Sequence, residues 1–226
     1  MANKANESLA AKAAAYLRES TGALGCVNGI QQDIQREADL LVAWARERGI
    51  LLNGSHTDGL TRIERDTTEH VVYLRRSDLR VIKCTKPGRF GYAHGPKGKR
   101  ARFSEATPLF YLQRLELMNQ EFPTDLRLEG IALDKPNFGD KETLRPYIVT
   151  SQRFIEPADQ KYPHPSQHEI DALMAKLGFK PLPSSCYNWF RESDGIIVLD
   201  TKQLNFINSP EGIVPIDLII GKLDAI

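Results

Sequence analysis

The sequence predicts an α+β protein preceded by a helical extension, and three observations carry that expectation. Residues Glu7–Leu51 are rich in Ala, Leu, Gln, Glu and Arg, with apolar residues at helical spacing. Between His70 and Ile155, two pairs of apolar, β-branched segments flank one amphipathic helical pattern. The stretch Gly195–Ile220 sets Asp200, Asn205 and Asp217, all hard-oxygen ligand types, into otherwise apolar, strand-like sequence.

The 226 residues suffice for one sizeable core or two small lobes, and 41% hydrophobic with 26% charged content is ordinary for a soluble globular chain. With 30 basic against 29 acidic side chains, the net charge of +1 excludes a wholesale electrostatic nucleic-acid binder. Cys26, Cys84 and Cys186 are too few and too scattered for a disulfide framework or a paired zinc site. The N-terminus lacks a signal-peptide layout and no apolar run is long enough to span a bilayer. A cytoplasmic protein with no membrane partner is the expectation.

The extension breaks at Ser20–Gly25 into two helices. In the second, Ile34, Leu40, Leu41, Trp44 and Ala45 recur at helical spacing, and Gly49 after Arg46-Glu-Arg48 is a stop signal. Turn residues fill Asn53–Gly59. His70–Leu74 and Leu79–Cys84 then flank Arg75–Asp78 as an antiparallel hairpin with Lys83 on its second strand. Lys86–Arg102 holds six basic residues, no acidic ones and four glycines, a loop able to meet phosphate and, more weakly, nucleic acid. Pro108 opens a helix whose apolar face runs through Leu112, Leu115, Met118 and Phe122, with Glu116 and Asn119 beside it.

Leu126–Leu133 and Tyr147–Ile155 are the next strands, and Glu156-Pro157 breaks the second. Glu169–Leu177 forms a short helix ended by Gly178. His164 and His168 have the separation of a helical metal pair, but Pro165 lies between them and no third ligand is evident. Ser209–Gly212 is a turn between Phe206-Ile207 and Ile213-Val214, so this hairpin brings Asn205 and Asp217 towards the same end.

Such residue types suit phosphoryl transfer, which needs oxygen ligands for Mg²⁺ and a carboxylate to orient the attacking hydroxyl. Asn205 and Asp217 could hold metal while Asp200 faces the acceptor. An Asp-x4-Asn spacing alone is weak, so its strand and hairpin context carries the weight.

The order of elements resembles the protein-kinase fold, and the text is similar to the polyvalent protein kinase domains of bacterial phage and mobile elements. The resembling stretches are Glu69–Leu74, Val81–Gly91, Tyr111–Leu115, Ile148–Gln152 and Val214–Leu218. The resemblance implies a minimal, two-lobed kinase-like fold: helical extension 1–52, N-lobe 53–156 and truncated C-lobe 157–226, since nine residues follow Asp217. It implies ATP and Mg²⁺ as cofactors. Lys83 would grip phosphates and Glu116 would brace it, with Glu121 or Asn119 as alternatives. Glu156 at the inter-lobe break would touch nucleotide, Asp200 would be catalytic, and Asn205 and Asp217 would hold metal.

The acceptor implied is a Ser or Thr of an unknown protein; the alternative is a catalytically silent nucleotide-binding or interaction module. The chain departs from the kinase pattern in three places. Val198-Leu199 precede Asp200 in place of His-Arg, Leu218-Ile219 follow Asp217 in place of Phe-Gly, and the expected phosphate lid Asp58–Thr68 has one glycine.

Overall fold

The computed structural model describes residues 7–22, 30–63, 68–94, 103–136, 142–183 and 187–223. In chain order the elements begin with α1 (Leu9–Thr21), α2 (Ile30–Glu47), β1 (Thr61–Arg62), β2 (His70–Arg75), β3 (Arg80–Thr85), β4 (Tyr92–His94) and β5 (Phe103–Glu105). Then come α3 (Pro108–Glu121), β6 (Arg127–Asp134), β7 (Arg145–Arg153), α4 (Gln167–Lys176), β8 (Lys180–Pro181) and β9 (Trp189–Arg191). The chain closes with β10 (Ile196–Leu199), a 3-10 turn (Gln203–Asn205), β11 (Phe206–Ser209), β12 (Gly212–Pro215) and β13 (Ile219–Lys222). The expected α+β class is the one observed. Two compact units divide these elements: residues 1–92, 105–116 and 125–153 form the first, and 93–104, 117–124 and 154–226 the second.

The first unit is built on a five-stranded sheet in the order β1-β2-β3-β7-β6, antiparallel throughout. Its two faces bury different partners. On one, Leu128, Ile131 and Ile148 pack with Leu112 and Leu115 of α3 and with Ala13, Leu17, Leu41 and Trp44 of α1 and α2. The helical pair is therefore part of this unit's core, because its apolar stripe has nowhere else to be buried. On the other face, Ile82, Cys84, Tyr147 and Val149 are covered by Leu52 and Leu60. The segment after α2 runs beside β6 through a parallel bridge between Leu51 and Ile131, with Leu52 N–H donating to Ile131 O and Ile131 N–H to Ile50 O. Only glycine fits at position 130, where a Cβ would lie 2.5 Å from the Ile50 carbonyl oxygen.

Buried charge also ties this unit together. Glu69, just ahead of β2, pairs with Arg114 of α3, and its Oε1 also accepts the Tyr92 N–H at 3.1 Å. Gly91 makes room for that carboxylate: its φ is +77° and a Cβ would overlap Glu69 Oε1. Beside it, His70 Nε2 and the Tyr111 hydroxyl are 2.9 Å apart. Glu37 of α2 accepts the Leu109 N–H at 2.8 Å and so caps the N-terminus of α3. Burial pushes the Glu37 carboxyl above its ordinary value.

The second unit contains smaller sheets. One has four strands in the order β13-β10-β9-β8, and β11 and β12 form a separate hairpin. Ile196, Ile197, Val198 and Leu199 of β10 are all buried, which explains its uninterrupted apolar run. α4 starts with a full capping box between Ser166 and Glu169. Arg191 on β9 joins the pieces through Glu121, Asp194 and the Leu177 carbonyl. Its guanidinium lies 4.5 Å from the Phe179 ring centroid, and the two carboxylates raise its pKa further above an already high value. No helix among the described residues is long and apolar enough to cross a membrane.

Candidate functional site

In the first unit, strand register fixes Lys83. It stands in mid-β3 opposite Val72 on one side and Thr150 on the other, and Thr150 in turn faces Leu128. Side chains alternate across a strand, so Lys83 shares the face of Leu128 and Ile148, the face packed against α3. Its neighbour Cys84 belongs to the opposite face. There, burial pushes the Cys84 thiol up to about 12, which makes it an inert core residue.

Glu116 lies one helical turn beyond Leu112 on α3 and is half-buried. Its Oε1 accepts the Ser8 hydroxyl at 2.6 Å. Of the two alternatives to it, Glu121 is engaged by Arg191 at 2.7 Å, and Asn119 Oδ1 accepts the Thr124 hydroxyl at 2.7 Å. Both of those positions belong to the second unit. Glu156 is exposed beyond the end of β7.

In the second unit, the hairpin is paired as Ser209↔Gly212 through Phe206↔Pro215, with a two-residue Pro210-Glu211 connection. One step beyond the last pair, Asn205 O accepts the Ile216 N–H at 2.8 Å. That bond sets Asn205 next to the bend carrying Asp217, as the turn signals implied.

Asp200 directly follows β10 with φ +61°. A side chain in this left-handed region costs roughly 1–2 kcal/mol, which Asp offsets by local hydrogen bonding. Asn205 Nδ2 donates to Asp200 O at 2.7 Å and to Oδ2 at 2.9 Å. Both partners are acceptors only, so the amide nitrogen must point at Asp200 and Oδ1 is left over for another partner. Lys202 Nζ lies 2.7 Å from Asp200 Oδ1.

Lys202 is the charged neighbour that the sequence reading passed over. Its signal was present: two residues after Asp200, in a turn closed by Asn205, its ammonium is within reach of the carboxylate. The Glu69–Arg114 pair was missed for a different reason, since 45 residues separate the partners and no local pattern joins them.

Several sequence-stretch readings lie outside the described residues: Lys97, Lys99, Arg100 and Arg102 of the basic loop, Cys26 and Cys186, and positions 64–67 of the phosphate-covering segment. His164 Nδ1 bonds the Phe206 carbonyl at 2.8 Å, a structural use of that ring.

A strand lysine on the helix-packed face of a sheet, and an Asp-x4-Asn turn leading to a further Asp, are residue types that kinases use. More particularly, the chain belongs to the Kinase-PolyVal family, described as "Serine/Threonine/Tyrosine Kinase found in polyvalent proteins", whose family model matches residues 34–223. The match begins inside α2 and leaves α1 ahead of it. No curated protein and no solved structure matches the chain. Membership brings kinase-like function at the level of the family, with nucleotide and metal use in general.

Proposed function

We propose that the chain is an ATP- and Mg²⁺-dependent phosphotransferase of two-lobed kinase-like fold, with a protein Ser or Thr hydroxyl as acceptor. The observation that carries this reading is the Asp200 carboxylate held by the Asn205 amide and the Lys202 ammonium. Family membership supplies the class of reaction.

The donor set suits the metal. Asn205 Oδ1 and the Asp217 carboxylate are hard oxygen ligands of the kind magnesium takes, and Asn205 is oriented for that role because its nitrogen is committed elsewhere. Bound Mg-ATP would supply the γ-phosphoryl group and neutralise part of its charge. Asp200 orients the acceptor hydroxyl and takes its proton as the oxygen–phosphorus bond forms and the bond to ADP breaks. Lys202 offsets negative charge on the phosphoryl group in flight. Lys83 binds phosphate with Glu116 as its acidic partner, and Glu156 contacts nucleotide.

A second reading, a silent nucleotide-binding module, is favoured by Val198-Leu199 ahead of Asp200 and Leu218-Ile219 after Asp217, where the chain departs from the kinase pattern. Calorimetry and label transfer separate the two. Under the catalytic reading the wild type binds Mg-ATP and transfers label, Asp217→Ala loses binding, and Asp200→Ala binds but transfers nothing. Binding without transfer in the wild type leaves the silent module; absence of nucleotide binding sinks both.

A further inference from the structure

Asp200 needs support that the two residues ahead of it cannot give. Val198 and Leu199 are 0% and 1% exposed, are paired with Ile220 and Ile219 of β13, and carry no polar side-chain atom. The residue after it is held instead. Thr201 is fully buried and each of its three polar groups is engaged. Its N–H donates to Tyr187 O at 3.0 Å, its carbonyl accepts Gln167 Nε2 at 3.3 Å, and its hydroxyl accepts the Trp189 indole N–H at 3.1 Å. Asn188 Oδ1 accepts the Asp200 N–H itself at 3.4 Å.

The anchor for these contacts is β9, where Trp189 is paired with Val198 of β10. A buried indole N–H is costly without an acceptor, so it fixes the Thr201 hydroxyl as firmly as the hydroxyl fixes it. With Thr201 immobilised on one side and the β10 ladder on the other, Asp200 is kept at its positive φ. Its carboxylate is thereby aimed at Asn205 and Lys202.

We propose that Trp189 and Thr201, assisted by Asn188, form a positioning clamp for the Asp200 carboxylate, doing through β9 what the residues preceding Asp200 cannot. The clamp rests on the phosphotransferase reading, but it is a property of the folded chain and has a readout of its own.

The test uses Trp189→Phe, which deletes the N–H and keeps a buried ring, and Thr201→Val, which deletes the hydroxyl at nearly constant shape, with Thr201→Ser as the restoring variant. Amide hydrogen exchange by NMR is followed at Thr201 and Lys202, with β10 amides as internal reference, alongside kcat and the nucleotide KM. The clamp predicts exchange at least about 10-fold faster at those two amides in W189F and T201V, but not at β10. It also predicts about 10-fold lower kcat at unchanged KM, near wild-type behaviour in T201S, and a double variant no worse than either single one.

Unchanged exchange at Thr201 and Lys202, or equal acceleration across β9 and β10, overturns the clamp whether or not the protein transfers phosphate. Faster exchange with undiminished kcat overturns it too. A wild type that transfers no phosphate while the exchange result holds overturns the phosphotransferase reading and leaves the clamp as the device that fixes the Asp200 carboxylate.

Discussion

The two units hold their candidate residues in different ways. In the first, Lys83 is placed by ladder register on a sheet whose two faces are both packed, so its position follows from cooperative structure many residues wide. In the second, Asp200 sits past the end of a strand at positive φ and owes its orientation to individual hydrogen bonds. Under the proposed function the difference suits the roles: a phosphate grip tolerates a long flexible ammonium on a rigid base, whereas a carboxylate that is to meet one hydroxyl needs its short arm aimed, and turn hydrogen bonds do that with few residues.

The largest expected effect that would break this comparison is chemical. Asp200→Asn keeps the shape of the side chain and its turn, and should lower label transfer about 10²–10⁴-fold with little change in melting temperature. Comparable activity in the variant would remove Asp200 from the chemistry.

Next comes the buried pair of the first unit. Arg114→Met leaves the Glu69 carboxylate buried and uncompensated and should cost about 3–5 kcal/mol. The two tryptophans report separately, Trp44 from the first unit and Trp189 from the second, so denaturant titration of single-tryptophan variants gives a midpoint for each. The Trp44 midpoint should fall. Leu112→Ala, at a fully buried position on α3, should cost about 2–5 kcal/mol by the same measurement. A loss below about 1 kcal/mol would mean α3 is not packed as described.

In the second unit, Ser166→Ala removes the α4 capping box and should cost about 1 kcal/mol, read from the Trp189 midpoint. The smallest effect is pH-dependent. Burial raises the Glu37 carboxyl above its ordinary 4.5. Its favourable contribution is therefore complete below that value and is lost as pH rises through the folded-state value. Glu37→Gln keeps an acceptor for Leu109 and cannot ionise. Its melting temperature relative to wild type should rise between about pH 4 and pH 7, and a flat or falling difference would contradict the burial effect.

Much of the fold was legible because its signals are local. The β2–β3 hairpin, the α3 start at Pro108, β6 and β7, and the β11–β12 turn at Pro210-Glu211 all appear within a residue or two of their sequence signatures. Pairing of β10 with β13 was not legible, since strand partners distant in sequence leave no periodic trace, whereas β9 pairs with β10 as a local hairpin across Glu192–Gly195. The same holds for the N-terminal helices. Their apolar stripe showed that they pack, but it did not show that α3 and β6 would be what they pack against.

The sequence by itself determined the family, the strand and helix pattern, and the residue types Lys83, Asp200, Asn205 and Asp217, because these are properties of composition and short-range spacing. Tertiary structure decided which side of the sheet Lys83 takes. It also decided that Glu121 serves Arg191, and that Trp189 reaches the Thr201 hydroxyl beside Asp200. Those outcomes depend on register and on contacts between remote segments, which only the folded chain sets.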